Sequence, residues 1–337
     1  MYRAEFEKLT LKFKQPSGTS RGVLNEKDSW ILKLWQADKP GLIGYGEASI
    51  IKSLSPEWGP MFIPKLDEVK DRINYYVDAL DELRDFPAIQ LAIETAIRDL
   101  NHSGGYQIFD LPQAKSSNQI PINGLVWMGD KTFMLAQIEA KLAEGFDCIK
   151  LKIGAIDFNV ELEILTHIRS NYTKDQIELR VDANGAFDVG EAKDKLQALA
   201  QFDIHSIEQP IRQGQTNAMA ELCKSTPIPI ALDEELIGIT DYHSKQKLLQ
   251  AIQPQYIILK PSLIGGFNGT DEWIELAEKQ NIQWWITSAL ESNIGLNAIA
   301  QYTLTKNNPL PQGLGTGGLY TNNIAPFLKI ENGFLII

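Results

Sequence analysis

Charged side chains recur in this 337-residue sequence at the ends of short apolar runs, at intervals of 25 to 30 residues. The series is Lys152, Asp182, Glu208, Asp233 and Lys260, followed one interval later by Ser288. Carboxylates without neighbouring Cys or His are hard oxygen ligands that suit Mg²⁺, with Mn²⁺ as the alternative. A lysine on each side of such an ion is suited to moving a proton next to a substrate carboxylate. These residue types predict metal-assisted proton abstraction.

The interval between these residues equals the length of one βα unit. Apolar strands are predicted at 148–153, 178–183, 204–208, 229–233, 256–260 and 283–288, with helices such as 189–201 and 272–280 between them. No GxGxxG or Walker motif opens these helices, which argues against a nucleotide-binding fold. In a parallel barrel the carboxyl ends of all strands meet at one mouth. The sequence therefore predicts a barrel whose mouth gathers the charged residues into one pocket.

Alternation within each strand decides which side chains face the barrel lumen. In 149–153, apolar residues alternate with Lys150 and Lys152, and the next strand places Arg180 and Asp182 in the same way. Charges buried there require a metal or mutual pairing, because unpaired buried charge is strongly unfavourable. Lys150 and Arg180 are placed to supply positive charge that lowers a lysine pKa from about 10.4 toward 7 to 8, where lysine acts as a base.

Purely structural roles are also compatible with these residue types. Acidic residues at strand ends often cap the following helix, and Lys150 and Lys152 could be solvated lysines of an edge strand. Lys260 could be a structural ion-pair partner of Asp233, which is compatible with catalysis. None of these simpler roles accounts for the whole regularly spaced series.

The first third of the chain has a different order of predicted strands and helices. Residues 2–14, 29–37 and 42–48 alternate like strands of an antiparallel meander, and two helical patterns follow at 67–83 and 87–102. These elements predict a small α+β domain before the barrel.

Composition limits the partners of the protein. With 32 Lys and Arg against 43 Asp and Glu, the formal charge is −11, which argues against nucleic acid or an anionic membrane as a partner. No leader-like or membrane-spanning apolar run is present, so a cytoplasmic protein is expected. Cys148 and Cys223 are far apart and predict neither a disulfide framework nor a zinc site. The expected partner is a small carboxylate substrate, and the oligomeric state is left open.

Five motifs carry a resemblance to a known family. They are KLKIG at 150–154, RVDANGAF at 180–187, IEQPI at 207–211, LDEEL at 232–236 and LKPSLIGG at 259–266. Over nearly the whole chain the sequence resembles the enolase superfamily, muconate lactonising enzyme subgroup. The resemblance implies an α/β fold, a (β/α)7β modified TIM barrel with an N-terminal α+β capping domain. It implies acid/base roles for Lys152 and Lys260 and metal ligands at Asp182, Glu208 and Asp233.

The resemblance also predicts the domain organisation. The expected units are a capping domain at 1–105 with a mobile active-site loop near 15–24, a catalytic barrel at 106–318, and a C-terminal segment at 319–337 that returns to the capping domain. Gly18, Gly22 and the small polar residues of this loop suit a lid. Ser20 and Arg21 in the loop are predicted to contact the succinyl carboxylate of the substrate.

Two segments resemble the o-succinylbenzoate synthase family within that subgroup. These are TSALESNIGL at 287–296 and the arginine of RVDAN, and the resemblance implies that Arg180 bonds to or positions Lys152. Substrate contacts are predicted at Ser288, Glu291 and Ser292, and supporting roles at Lys150 and Glu234. Glu291 and Ser292 could instead simply begin the next helix. The segment GLGTGG at 313–318 departs from the pattern, since many relatives have Asp after GL.

The implied reaction is syn elimination of water from 2-succinyl-6-hydroxy-2,4-cyclohexadiene-1-carboxylate, giving o-succinylbenzoate for menaquinone biosynthesis. Lys152 would remove the α-proton and later protonate the departing hydroxyl, while the metal and Lys260 stabilise the enediolate. An N-succinylamino acid racemase, or one enzyme with both activities, is the alternative; 313–320 lacks the DxD element of dipeptide epimerases. A non-catalytic binding barrel is disfavoured by the intact set of lysines and carboxylates.

Overall fold

The computed structural model describes most of the chain, namely residues 1–19, 22–112 and 118–337, leaving out the side chains of 17–19 and 22. Ser20 and Arg21, the substrate contacts predicted in the loop near 15–24, lie outside the described residues. Their roles stay predictions.

The chain begins with a three-stranded antiparallel sheet. Its strands, in spatial order, are β1 (Tyr2–Thr19), β2 (Gly22–Gln36) and β3 (Lys39–Ser49). β1 and β2 are longer than the sequence predicts, because they continue as a paired ribbon through which Gly18 opposes Val23. The described part of the predicted loop is thus a continuation of the sheet.

The predicted continuous helix over 67–83 is wrong. The segment contains three shorter pieces, α1 (Phe62–Asp71), α2 (Ile73–Tyr76) and a 3-10 helix (Leu80–Leu83). The first break is at Arg72, whose φ of −112° and ψ of 27° are not helical. Just after it, the Asn74 side chain bonds both backbone groups of Tyr2, at 2.6 Å from the Tyr2 nitrogen and 3.0 Å from its oxygen, and so anchors α2 to β1.

The second predicted helix, over 87–102, is confirmed as α3 (Pro87–Asn101). It packs directly on β3, where Gly44 and Gly46 face the α3 backbone at Ala96 and Ala92. A Cβ on either glycine would overlap a helix carbonyl, so the close packing depends on glycine at both positions.

After strand β4 (Gln119–Pro121), the chain alternates between strands and helices. Seven parallel strands form one sheet in consecutive order: β5 (Gly124–Val126), β6 (Cys148–Lys152), β7 (Glu178–Asp182), β8 (Ile204–Glu208), β9 (Ile230–Leu232), β10 (Tyr256–Leu259) and β11 (Gln283–Ile286). The main helices are α4 (Lys131–Ala143), α5 (Phe158–Asn171), α6 (Val189–Leu199), α7 (Thr216–Ser225), α8 (Tyr242–Ile252), α9 (Pro261–Ile264), α10 (Gly266–Lys279) and α11 (Asn293–Thr305). Two further 3-10 helices are Ala200–Phe202 and Glu234–Leu236.

Two residues where the glycine-rich segment begins, Gln312 and Gly313, close the sheet into a barrel. Gln312 forms a parallel bridge to Ile122, and Gly313 forms one to Thr287 beyond β11. A Cβ on Gly313 would overlap the Thr287 side chain. The glycine-rich segment that departs from the family pattern therefore forms the seam of the barrel.

The C-terminal segment divides between two regions. The backbones of Leu319 and Thr321 bond to β1 at Lys14 and Lys12, with N–O distances of 2.8 and 2.9 Å. Further on, β12 (Lys329–Glu331) and β13 (Phe334–Ile336) form an antiparallel sheet with β4. Only the first part of the segment touches the N-terminal sheet through these bonds.

Apolar side chains form separate cores in the two parts of the molecule. One core, including Leu32, Leu34 and Ile93, lies between the N-terminal sheet and its helices, and a much larger one fills the space between barrel strands and outer helices. Among the described residues, no helix has the length and apolarity required to cross a bilayer.

Candidate active site

Strand register brings the predicted chemical groups together. On the parallel ladder, Lys152 of β6 lies opposite Asp182 of β7, which lies opposite Glu208 of β8. Asp233 and Lys260 directly follow β9 and β10. All five residues thus lie at the carboxyl ends of adjacent strands, as the spacing predicts.

A cavity of about 360 Å³ lies above these strand ends. Its charged floor is formed by Lys150, Lys152, Asp182, Glu208, Glu234 and Lys260. Asp233 is buried behind Lys260, its ion-pair partner. The predicted catalytic lysines therefore face one cavity from β6 and from the end of β10, with three strands between them.

Lysines and carboxylates of the floor pair with one another. Lys150 Nζ lies 3.0 Å from Asp182 Oδ2 and also contacts Glu208. Lys152 Nζ donates to the same Asp182 oxygen at 2.9 Å. Lys260 pairs with Asp233, the ion pair that the sequence suggested. Buried charge at the mouth is thus largely compensated within the protein.

Pairing decides the direction of the pKa shifts. Burial lowers the pKa of Lys150, but the charges of Asp182 and Glu208 outweigh burial and raise it. Burial also lowers the pKa of Lys260, but the charges of Asp233, Glu208 and Glu234 together outweigh burial and raise it. Burial and the Asp182 charge raise the pKa of Glu208 to about 8. The sequence predicts a lowered pKa for an acid/base lysine, and at Lys260 the carboxylates reverse that direction.

The donor chemistry of the mouth fits a hard divalent cation. No group of three or more His, Cys, Asp or Glu side chains within the described ranges is already arranged as a metal site, since lysines hold the carboxylates. However, Oε1 of Glu208 is buried and has no hydrogen-bond partner among the described residues. A buried carboxylate oxygen without a partner is costly unless a cation or donor approaches it. Asp182, Glu208 and Asp233 offer oxygen donors only, as Mg²⁺ prefers.

Asn184 is a site residue that sequence reasoning missed. Its Oδ1 accepts a hydrogen bond from Lys152 Nζ at 2.7 Å, and its Nδ2 donates to Glu234 Oε1 at 3.2 Å. Asn184 adopts a left-handed backbone conformation, with φ of 45°. The motif Asp-Ala-Asn-Gly contained the signal, because asparagine before glycine tolerates this conformation.

Arg180 does not contact Lys152. Its guanidinium bonds Glu178 at 2.7 Å and the Pro311 carbonyl at 2.8 Å, and it stacks on Trp285 at 4.3 Å from the ring centre. The predicted bond to Lys152 is therefore absent from the contacts of Arg180 in the described chain. Arg180 instead lies one layer below the mouth and supports Trp285, which lines the cavity.

The predicted substrate contacts at 288–292 separate into two groups. Ser288 lines the cavity, with its hydroxyl 2.6 Å from that of Thr316. Glu291 and Ser292 are absent from the described lining. Ser292 is the N-cap of α11, and Glu291 accepts a bond from the Ala289 nitrogen at 2.7 Å. Ser292 caps the next helix and Glu291 lies in the turn before it, which is close to the alternative that the sequence left open.

The cavity walls are mostly apolar. Strand β2 and the segment after β3 contribute some of the wall, and the barrel contributes the rest; the apolar lining residues are Val23, Leu24, Ile51, Leu54, Leu125, Trp127, Trp285, Ala289 and Leu290. Trp127 and Lys52 also line the cavity, and sequence reasoning did not identify them. The cavity thus combines a charged floor with walls suited to an organic acid.

Comparisons with known proteins identify the family of this chain. A family model described as Enolase C-terminal domain-like matches residues 134–337. The sequence is 45% identical to an o-succinylbenzoate synthase from Desulfotalea psychrophila, over 98% of this chain and 97% of the relative. The chain belongs to the o-succinylbenzoate synthase family of the enolase superfamily. The family predicted from the barrel motifs is confirmed.

Solved structures agree in fold. The crystal structure of MenC from Desulfotalea psychrophila LSv54 matches with a TM-score of 0.87 and 41% identity, covering 100% of this chain and 99% of that one. A dipeptide epimerase from Enterococcus faecalis, complexed with Mg and a dipeptide, matches with a TM-score of 0.83 at 21% identity, over 99% and 96%. The predicted barrel with its α+β capping domain is confirmed, and the epimerase supports the fold alone.

Proposed function

We propose that this chain is a hydro-lyase with o-succinylbenzoate synthase activity. The observation that carries the proposal is the floor of the cavity, where Lys152 and Lys260 line the same space and Asp182 and Glu208 lie on strands between theirs. The full-length similarity to an o-succinylbenzoate synthase supplies the reaction. The substrate is 2-succinyl-6-hydroxy-2,4-cyclohexadiene-1-carboxylate, and the product, o-succinylbenzoate, serves menaquinone biosynthesis.

Lys152 is the proposed base and acid. In its neutral form, Nζ takes the proton from the ring carbon next to the carboxylate, and the electron pair of the broken C–H bond remains on the substrate. The ammonium then returns this proton to the hydroxyl on the adjacent carbon, which leaves as water as the ring becomes aromatic. Asp182 and Asn184 accept hydrogen bonds from Nζ at 2.9 and 2.7 Å, which fixes its position through both transfers.

Lys260 is proposed to stabilise the substrate from the opposite side. It approaches the cavity from the end of β10 and keeps its charge, since Asp233 raises its pKa against the effect of burial. A fixed ammonium across the cavity from Lys152 would favour the negative charge that develops when the proton leaves.

Mg²⁺ is the proposed cofactor, with Mn²⁺ as a substitute. Asp182, Glu208 and Asp233 would hold the ion, and the partnerless Oε1 of Glu208 supports this assignment. When bound, the ion supplies positive charge beside the substrate carboxylate, which lowers the cost of removing the neighbouring proton. Glu234 and Lys150 support this set by bonding Asn184 and Glu208.

The proposed setting is the cytoplasm, with a small dicarboxylate as partner. The formal charge of −11 supports neither nucleic acid nor an anionic membrane as a binding surface. An apolar-walled cavity over a charged floor also suits a small organic acid.

The proposal is tested by incubating the purified protein and Mg²⁺ with the cyclohexadiene substrate. Loss of the diene and formation of one equivalent of o-succinylbenzoate are expected. An N-succinylamino acid racemase is the second candidate, because two lysines face the same cavity from different sides. Solvent deuterium incorporation into an N-succinylamino acid, without consumption of the cyclohexadiene, would replace the dehydratase by the racemase.

A further inference from the structure

A buried polar cluster joins the N-terminal sheet to the barrel beside the cavity. We call it the boundary cluster, and its members are Lys27 of β2, Glu47 of β3 and Glu291 before α11. Their exposed fractions are 6%, 1% and 0%. Such burial of three ionisable groups requires that each be held by specific partners.

Glu47 holds the start of α11 from the neighbouring domain. Its carboxylate accepts bonds from the Ser292 nitrogen at 2.8 Å, the Ser292 hydroxyl at 2.5 Å and the Gly295 nitrogen at 2.9 Å. A helix start offers unpaired N–H groups and a positive dipole end, which together suit a carboxylate. The position of α11 is thus tied to β3.

Glu291 holds the turn that precedes α11. It accepts from the Ala289 nitrogen at 2.7 Å and also bonds the Ser262 hydroxyl. This turn, residues 288–290, lines the cavity. Leu290 has a φ of 62°, a left-handed conformation that a leucine keeps only when its surroundings enforce it. The cavity wall here therefore depends on fixed neighbours.

Lys27 lies near enough to Glu47 and Glu291 for their charges to act on it. Its Nζ donates to Ser29 at 3.0 Å and Ser49 at 2.5 Å. Burial lowers the pKa of Lys27, and the charges of Glu47 and Glu291 oppose this effect. Lys27 follows Leu24, a lining residue, by three positions on β2. One cation thus lies between a wall from β2 and a wall from the barrel.

We propose that the boundary cluster positions both cavity walls and thereby sets the affinity for substrate, without touching the substrate itself. Its members are positioning residues: the proton-transfer lysines lie on other strands, so the chemical step does not depend on them. The inference rests on the proposed function only for the choice of substrate.

The test compares two buried glutamates that hold barrel helices from the N-terminal domain. Glu94 of α3 accepts from the nitrogens of Phe267 and Asn268 at 2.6 and 3.2 Å, at the start of α10. None of these three residues is among the described lining of the cavity. Glu47→Gln should raise KM for the cyclohexadiene about tenfold while kcat changes less than about twofold. Glu94→Gln should leave both constants unchanged. An unchanged KM in Glu47→Gln, or equal KM increases in both variants, overturns the proposal.

A second readout does not require turnover. Amide hydrogen exchange at Ala289 and Ser292 should become faster in Glu47→Gln and stay at the wild-type rate in Glu94→Gln. If Glu47→Gln does not fold, Ser292→Ala removes one of the three bonds to Glu47 and should give the same changes at smaller size. Wild-type exchange at both amides in folded variants contradicts the proposal. A wild type that leaves the cyclohexadiene untouched contradicts the proposed function alone.

Discussion

Buried carboxylates occur in two regions of this molecule, and their partners differ. At the barrel mouth, Asp182, Glu208 and Asp233 face lysine ammonium groups. In the N-terminal domain, Glu57 and Glu94 instead accept bonds from backbone nitrogens at the starts of helices. Ionisable lysine side chains can take part in proton transfer, whereas backbone amides can only hold a carboxylate in place. The partner of a buried carboxylate therefore distinguishes its role better than its burial.

The strongest test of this distinction changes the lysine that contacts Asp182. Lys152→Arg keeps the positive charge but removes the base, because arginine is not deprotonated in proteins. Turnover of the cyclohexadiene should fall by about 10⁴-fold. The measurement is kcat by diene absorbance, with circular dichroism as a check on the fold. Wild-type turnover in this variant would show that another residue is the base.

A carboxylate of the mouth should be needed for activity but not for the fold. Glu208→Gln preserves volume and removes one ligand charge, so we expect turnover to fall by about 10²- to 10³-fold, with a cooperative unfolding transition retained. Glu94→Gln serves as the control for Glu208→Gln and should keep its turnover.

Metal removal is a separate test of the mouth. Excess EDTA should abolish wild-type activity, and Mg²⁺ or Mn²⁺ should restore it. Full activity in EDTA would remove the metal from the proposal.

Lys260 should matter less than Lys152 for dehydration. Lys260→Arg retains a cation across the cavity, although its geometry differs, so a loss of about 10- to 100-fold is expected. Racemisation of an N-succinylamino acid needs proton transfer on both sides and should be abolished by either substitution. Equal losses of dehydration in the two arginine variants would argue against a single acid/base lysine.

The smallest effect is expected in the N-terminal domain, in stability and not in rate. Burial raises the pKa of Glu57 from its ordinary 4.5 to about 8. The native state therefore binds the proton more tightly than the unfolded state, and the stability this provides is present below pH 4.5 and is lost as pH rises toward 8. Between pH 6 and 8 the loss should be on the order of 2 kcal/mol. Urea unfolding of Glu57→Gln should show a weaker pH dependence, and a slope equal to that of wild type would contradict the assignment.

Much of the barrel could be predicted because a charged residue marks the end of one apolar strand after another. The alternation around Lys150 and Lys152 placed both side chains in the lumen, and a constant interval placed Asp182 and Glu208 beside them. Local sequence contains this information, since side-chain direction in a strand follows from parity alone.

Contacts between distant segments could not be predicted in the same way. Asn74, just after the break in the predicted helix, bonds Tyr2, 72 residues away. α10 begins at Gly266, earlier than the helical pattern over 272–280 indicated, where Glu94 from another domain accepts its first N–H groups. Glu291 lies in a segment that resembles the family, but its side chain belongs to the boundary cluster and not to the cavity lining. In each case a tertiary partner, absent from the local pattern, lies where the prediction fails.

The seam of the barrel has a consequence for the order of events during synthesis. Gln312 and Gly313 close the sheet between β11 and the segment after β4, and β13 pairs with β4 itself. During synthesis, about two hundred residues are added after β4 before its partner β13 appears, and pairing between segments so far apart is slow. Lys152, Asp182 and Glu208 of the barrel mouth are therefore synthesised long before the residues that close the barrel. A nascent chain released before residue 312 would carry the proposed catalytic groups in an open sheet with an unpaired edge, the kind of edge that is prone to aggregation.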